Sequence, residues 1–285
     1  MIPGLRAHYL LPSVFCLLFD WLGPGGTSLP FRTSEEVAGF LREAKVVEVS
    51  KKSLPGTTKP RKVVVENGGV RANTVFRSFH KVYYNTKWDT GKFTKFLRDS
   101  YRNEIAAYEL SLLLGLDTVP PTVPWRLGGR EGALQLWIEN AEPGYHAKEA
   151  RQPADVARWL NERAKMRAFD ALIENVDRNV GNMLIDSAGK VWWIDHTRAF
   201  GRRRDLEDAE LVTRCERGLF ERLKTADPKV IAERMQAHMT QLEIDALLER
   251  RLKLIALIEQ RIAANGQSAV LFTLEPLTAT TDSRR

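Results

Sequence analysis

Residues 169–200, FDALIENVDRNVGNMLIDSAGKVWWIDHTRAF, constrain the fold of this 285-residue chain more than any other stretch. A helical apolar pattern stops near Ile173, and a polar run over residues 174–179 interrupts it. A short apolar strand over 183–185, a turn-forming run over 186–190 and a second strand over 191–194 then spell a β-hairpin. With the turn centred on Ala188-Gly189, residues whose numbers sum to 377 lie opposite each other, which pairs Asn182 with Asp195. The hairpin is therefore expected to carry an amide oxygen and a carboxylate side by side at one end.

Asp177 stands five residues before Asn182, in the loop that enters the hairpin. Asp-x4-Asn, a hairpin and a further Asp supply hard oxygen ligands for Mg²⁺ beside a carboxylate able to orient a hydroxyl, as metal-assisted phosphoryl transfer requires. Each residue alone could equally shape a turn. Together, Asp170, Asn175, Asp177, Arg178, Asn182, Leu184 and Asp195 resemble the signature of the atypical branch of the kinase-like superfamily. That branch holds phosphatidylinositol 3- and 4-kinases, HipA-type toxin kinases and secretory Golgi casein kinases, and the chain looks like a bacterial-type member.

The resemblance implies an α+β, two-lobed protein-kinase-like fold, with a small β-rich lobe over residues 31–140 and a mostly helical lobe over 141–265. It implies ATP between the lobes with Mg²⁺ or Mn²⁺ held by Asn182 and Asp195. Asp177 is then the base, and Arg178 neutralises charge near the loop. The family's phosphate-binding lysine aligns with Arg77, so either Arg77 or Lys81, on the same face of a strand expected over 70–84, fills that role. Glu104 becomes the helix acid that pairs with it. The helix is expected over 92–114, from Phe93, Phe96, Leu97, Tyr101, Ile105, Tyr108 and Leu112 at three- and four-residue steps. His196 is expected to support Asp195 by hydrogen bonding.

Upstream, residues 33–41 look like a capped helix, and strands near 46–49 and 62–65 flank a small-residue turn of the kind that covers phosphates. Asn67-Gly68-Gly69 signals a tight hairpin. Strands meet around Gly128-Gly129, a helix spans 153–173, and helices over about 205–224, 228–239 and 241–264 complete the chain before a flexible tail over 266–285. Residues 1–30 are a leader, either a secretory signal or a cytosolic extension, placing the protein outside the cytoplasm in the first case and inside it in the second.

A net charge of +7 would suit nucleic acid, but Lys and Arg are dispersed and no nucleic-acid-binding signature accompanies them. Two cysteines exclude a disulfide framework and a cysteine metal site. The expectation is thus a monomeric enzyme without an integral membrane span, transferring phosphate from ATP to a protein or glycan hydroxyl. A pseudokinase scaffold that binds nucleotide or a partner is the alternative, because arginine replaces the lysine and the turn over the phosphates holds few glycines.

Overall fold

Gly68 and Gly69 both adopt positive φ, the conformation that a two-residue turn requires, and join Arg61–Asn67 (β2) to Val70–Arg77 (β3). Their pairing runs without a bulge from Asn67 opposite Val70 to Arg61 opposite Phe76. The computed structural model describes residues 21–87, 93–144, 153–275 and 277. Before β2 come Ser34–Glu43 (α1), closed by a Thr33/Glu36 capping box, and Lys45–Ser53 (β1). After β3 come His80–Lys87 (β4), Phe93–Ser100 (β5), Tyr101–Leu113 (α2), Thr122–Leu127 (β6), Arg130–Leu136 (β7) and Glu142–Pro143 (β8). Five strands form one antiparallel sheet in the order β1-β2-β3-β7-β6. β3 is its centre, which is why its residues from Ala72 to Arg77 are buried while β1 is almost wholly exposed.

The helical part begins with Pro153–Ile173 (α3) and the hairpin of Met183–Ile185 (β9) and Val191–Trp193 (β10). Cys215–Glu216 (β11), Arg217–Thr225 (α4), Pro228–Met235 (α5), Gln241–Asn265 (α6), Gln267–Val270 (α7) and Leu271–Phe272 (β12) follow. One apolar core runs through both parts, joining Val63 and Leu134 of the sheet to Phe169 of α3, Trp193 of β10 and Leu254 of α6.

Five sequence expectations change. The strand expected over 70–84 breaks after Arg77, because β3 pairs with β2 and β7 whereas β4 pairs with β5. The helix expected over 92–114 begins only at Tyr101, where the Ser100 hydroxyl accepts the Arg102 N–H at 3.1 Å; the residues before it are strand β5. Alternation in β5 was masked because Phe96 and Leu97 follow Phe93 by three and four residues, a helical spacing, although they sit on opposite faces of the strand. The helix expected from about 205 starts at Arg217, with Glu216 accepting the Gly218 and Leu219 N–H groups, and that expected over 228–239 stops at Met235. The expected tail is ordered at its start, where β12 pairs in parallel with β11, while residues 276 and 278–285 lie outside the described residues. In the leader, residues 1–20 also lie outside; Trp21 packs 5.5 Å from Trp192, and Leu22 bridges to Ser28. No described helix is long and apolar enough to cross a membrane.

Candidate functional site

The β9–β10 hairpin is shifted by one residue from the register the sequence implied. The Asp186 N–H donates to the Lys190 carbonyl at 3.1 Å across a three-residue loop in which Gly189 takes φ +82°. The Asp186 carboxylate accepts the Ala188 and Lys190 N–H groups, both at 3.0 Å, and the Trp192 indole at 2.8 Å. Pairs therefore sum to 376: Leu184 lies opposite Trp192, and Ile194, whose N–H reaches the Asn182 carbonyl at 3.1 Å, takes the place expected for Asp195. Asp195 follows directly, in the left-handed region at φ +59°. It leaves the strand as an exit residue rather than as a cross-strand partner of Asn182.

Arg178 ties this end of the hairpin to α3. Its guanidinium grips the Asp170 carboxylate at 2.9 and 3.0 Å and donates to the carbonyls of Asn182 and Ile194 at 2.6 and 2.8 Å. One side chain thus binds the carbonyl just before β9 and the one just after β10, and its charge meets the buried Asp170 carboxylate. Asn175 supports the same loop: its amide nitrogen reaches Asp170 at 2.9 Å and its oxygen accepts the Asp177 N–H at 3.2 Å. The Asn182 amide nitrogen donates to the Asp177 carbonyl at 3.0 Å, leaving its oxygen as the atom suited to a cation.

The sheet and α2 contribute the opposing charges. Arg77, at the end of β3, places Nε 3.7 Å from Glu104 and a terminal nitrogen 3.8 Å from Asp195. Glu104 is fully buried, and it accepts the His196 N–H at 2.9 Å and contacts the His196 ring at 3.4 Å and the Gln135 amide at 3.4 Å. Burial alone would raise its carboxyl pKa, but the His196 hydrogen bonds and the Arg77 charge outweigh it and hold the group well below the usual range. His196 therefore supports Glu104, not Asp195 as the sequence implied; the Asp195 side chain is instead reached by Thr197 Oγ1 at 3.3 Å. Next to Glu104, the Asn103 amide donates to the carbonyls of Arg98, Thr197 and Ala199, stitching α2 to the segment that leaves Asp195.

Lys81 is not part of this cluster. It is exposed on β4 opposite Asp99, with its ammonium 4.8 Å above the Tyr83 ring. Two residues missed in the sequence do belong: Arg198 donates to Asp99 at 2.9 Å and to Asp177 at 3.1 Å. Asp99 was hidden by the helical assignment of β5, and the signal for Arg198 was no more than a cation three residues after Asp195. Burial raises the Asp177 pKa; Arg198 opposes this, while the charges of Asp195 and Asp99 add to it.

The donor set fits a hard divalent ion only partly by itself. Among the described residues no three His, Cys, Asp or Glu side chains converge as a metal cage. An amide and one carboxylate are instead the kind of incomplete protein shell that Mg²⁺ accepts when phosphate and water oxygens supply the rest. The buried Arg77 Nε faces the Glu104 carboxylate at 3.7 Å without a hydrogen bond among the described residues.

No family model matches the chain, and no curated protein matches it. Solved structures do. A hydra Fam20 structure with sugar is 18% identical at a TM-score of 0.57, over 84% of this chain and 92% of that one. The Golgi casein kinase is 16% identical at 0.55, over 84% and 77%, and its form with Mn/ADP bound gives the same score over 86% and 80%. At these identities the likeness concerns the fold: the chain has an α+β, atypical kinase-like fold, with a β-rich part that contributes Arg77 and Glu104 and a helical part that contributes Asp177, Asn182 and Asp195.

Proposed function

We propose that the chain is an ATP-dependent phosphotransferase that moves the γ-phosphoryl group to a hydroxyl of a protein or glycan acceptor. In this reading residues 31–140 form the phosphate-covering lobe and 141–265 the acceptor-binding, helical lobe. The observation that carries it is the meeting of Arg77 with both Glu104 and Asp195, at 3.7 and 3.8 Å, next to the loop bearing Asp177 and Asn182. A buried cation held between a helix acid and a second carboxylate suits the binding of nucleotide phosphates. The neighbours support the same reading, since one is a kinase solved with Mn/ADP and another was solved with sugar.

The roles follow from charge and position. Asp177, held by Arg198 and raised in pKa by burial, accepts the proton of the acceptor hydroxyl as its oxygen bonds to the γ-phosphorus and the bond to the β-phosphate oxygen breaks. Asn182 and Asp195 would hold Mg²⁺ or Mn²⁺, which supplies neutralisation of phosphate charge when bound. Arg77 binds the nucleotide's phosphates through its terminal nitrogens, and Glu104, facing its Nε, fixes its position. Arg178 keeps the two ends of the β9–β10 hairpin together, so that Asn182 and Asp195 stay on one edge.

Thermal unfolding of the full chain with ATP, with and without Mg²⁺ or Mn²⁺, tests the assignment alongside Asp195→Ala. The expected outcome is a metal-dependent rise in Tm that the variant loses, followed by labelled-phosphate transfer to protein or glycan hydroxyls. A metal-dependent rise without any transfer would return the chain to the pseudokinase reading, and no rise with any nucleotide would remove the site altogether.

A further inference from the structure

A hollow lies beside the loop that carries Asp177. It encloses about 290 Å³ between α3, the loop over 174–180 and the segment over 207–212, and the Asp177 side chain is not on its wall. Arg163 and Arg167, one turn apart on α3, both line it. Neither has a hydrogen bond or ion pair among the described residues, although both are partly buried. Burial and the neighbouring charge of Arg167 lower the pKa of Arg163, as expected for two like charges with nothing between them.

The carboxylates around this cavity are already matched. Asp170 is gripped by Arg178, Glu174 lies 3.2 Å from Arg250, and Glu207 lies 3.7 Å from Arg203. Asp208, the fourth, is also engaged. Of the three arginines on the wall, Arg178 is taken by Asp170, which leaves Arg163 and Arg167 as the cations without an ion pair among the described residues. Met166, Val180, Leu211 and Val212 complete the lining with apolar surface.

We propose that this cavity binds a small organic oxyanion, a phosphate or sulfate monoester, with Arg163 and Arg167 taking its head and the apolar residues its body. Planar guanidinium forks match such oxygens in pairs, and one turn of helix places two forks on the same side. The volume stands at the small end of ligand pockets, roughly 300–1,000 Å³, which favours a compact ester. Binding here needs neither turnover nor the metal-ligand pair, so it stands apart from the phosphotransfer reading.

The test is thermal unfolding of the full chain at constant ionic strength, with chloride exchanged for inorganic phosphate or for phenyl phosphate. A saturable rise of about 4 °C is expected. Phenyl phosphate should act at roughly tenfold lower concentration than phosphate, because only it fills the apolar part. The rise should vanish in Arg163→Gln/Arg167→Gln and persist in Asp195→Asn, and amide-exchange protection should fall on residues 163–180 and 207–212. If the double Gln variant fails to fold, Arg163→Lys/Arg167→Lys keeps the charge and should weaken binding about tenfold through loss of the forks. An unchanged rise in either double variant would overturn the proposal. So would its loss in Asp195→Asn, which would place the phosphate in the nucleotide site.

Discussion

His196 donates its backbone N–H to the buried Glu104 carboxylate at 2.9 Å. Through this bond the residue after Asp195 reports directly to α2, and Arg77 stands 3.7 Å away on the same carboxylate. Replacing Glu104 by Ala leaves Arg77 as a buried cation with a weakened partner set and should cost about 3 kcal/mol in urea unfolding. Glu104→Gln keeps an oxygen for the His196 N–H but not the charge, so the fold should survive while ATP-dependent transfer falls by on the order of tenfold to a hundredfold. A folded Glu104→Gln variant with an unchanged rate would detach this carboxylate from phosphate handling.

Arg77 and Lys81 separate cleanly by position. Arg77 is buried beside Glu104 and Asp195, whereas Lys81 is exposed on a different strand pair. Arg77→Ala should therefore weaken nucleotide binding by at least about tenfold, and Lys81→Ala by less than about twofold, in parallel titrations of a fluorescent ATP analogue. The reverse order would show that the β4–β5 hairpin, not β3, supplies the phosphate contact.

Arg198 holds down a pKa that burial raises at Asp177. A base must be ionised, so activity falls as pH drops through that pKa. Removing the guanidinium in Arg198→Ala should move the acidic limb of the kcat/KM profile upward by roughly one unit. An acidic limb at the same pH in the variant would mean that Asp177 does not set it.

Glu174, at the end of α3, is buried and pushed up to about 7, even though Arg250 faces it and opposes the shift. Arg250 is itself lowered to about 10 by burial. Because the folded state holds this proton more tightly than the unfolded one, its contribution to stability is complete below about pH 4.5 and lost as pH rises to about 7. Over that window Glu174→Gln should gain on wild type by on the order of 3 kcal/mol. Urea unfolding of both proteins at pH 4.5, 6 and 7.5 measures this, and parallel curves would exclude Glu174 as the titrating group.

The Asp170, Asp177, Asn182 and Asp195 set was legible because its order along the chain is local: a helix end, a loop and a short hairpin lie within one stretch. The Thr33 cap, the Gly68-Gly69 turn and α6 were equally plain, since caps, positive-φ turns and helical period are written in neighbouring residues. The hairpin register was not, because it turned on whether Asp186 would cap a three-residue loop with its side chain.

What the sequence determined by itself was the chemistry on offer: two carboxylates and an amide around a hairpin, a basic strand residue and a helix acid. Tertiary structure decided which of these meet. Arg77 rather than Lys81 reached Glu104 because β3 found its partners in β2 and β7 and ended there. His196 went to Glu104 rather than Asp195, and Arg198 joined Asp177 to Asp99, because α2 and β5 pack against the segment leaving the hairpin. The His196–Glu104 and Arg198–Asp99 contacts link residues about a hundred positions apart, and no spacing rule encodes them: a buried charge takes whatever partner the packed core brings within reach.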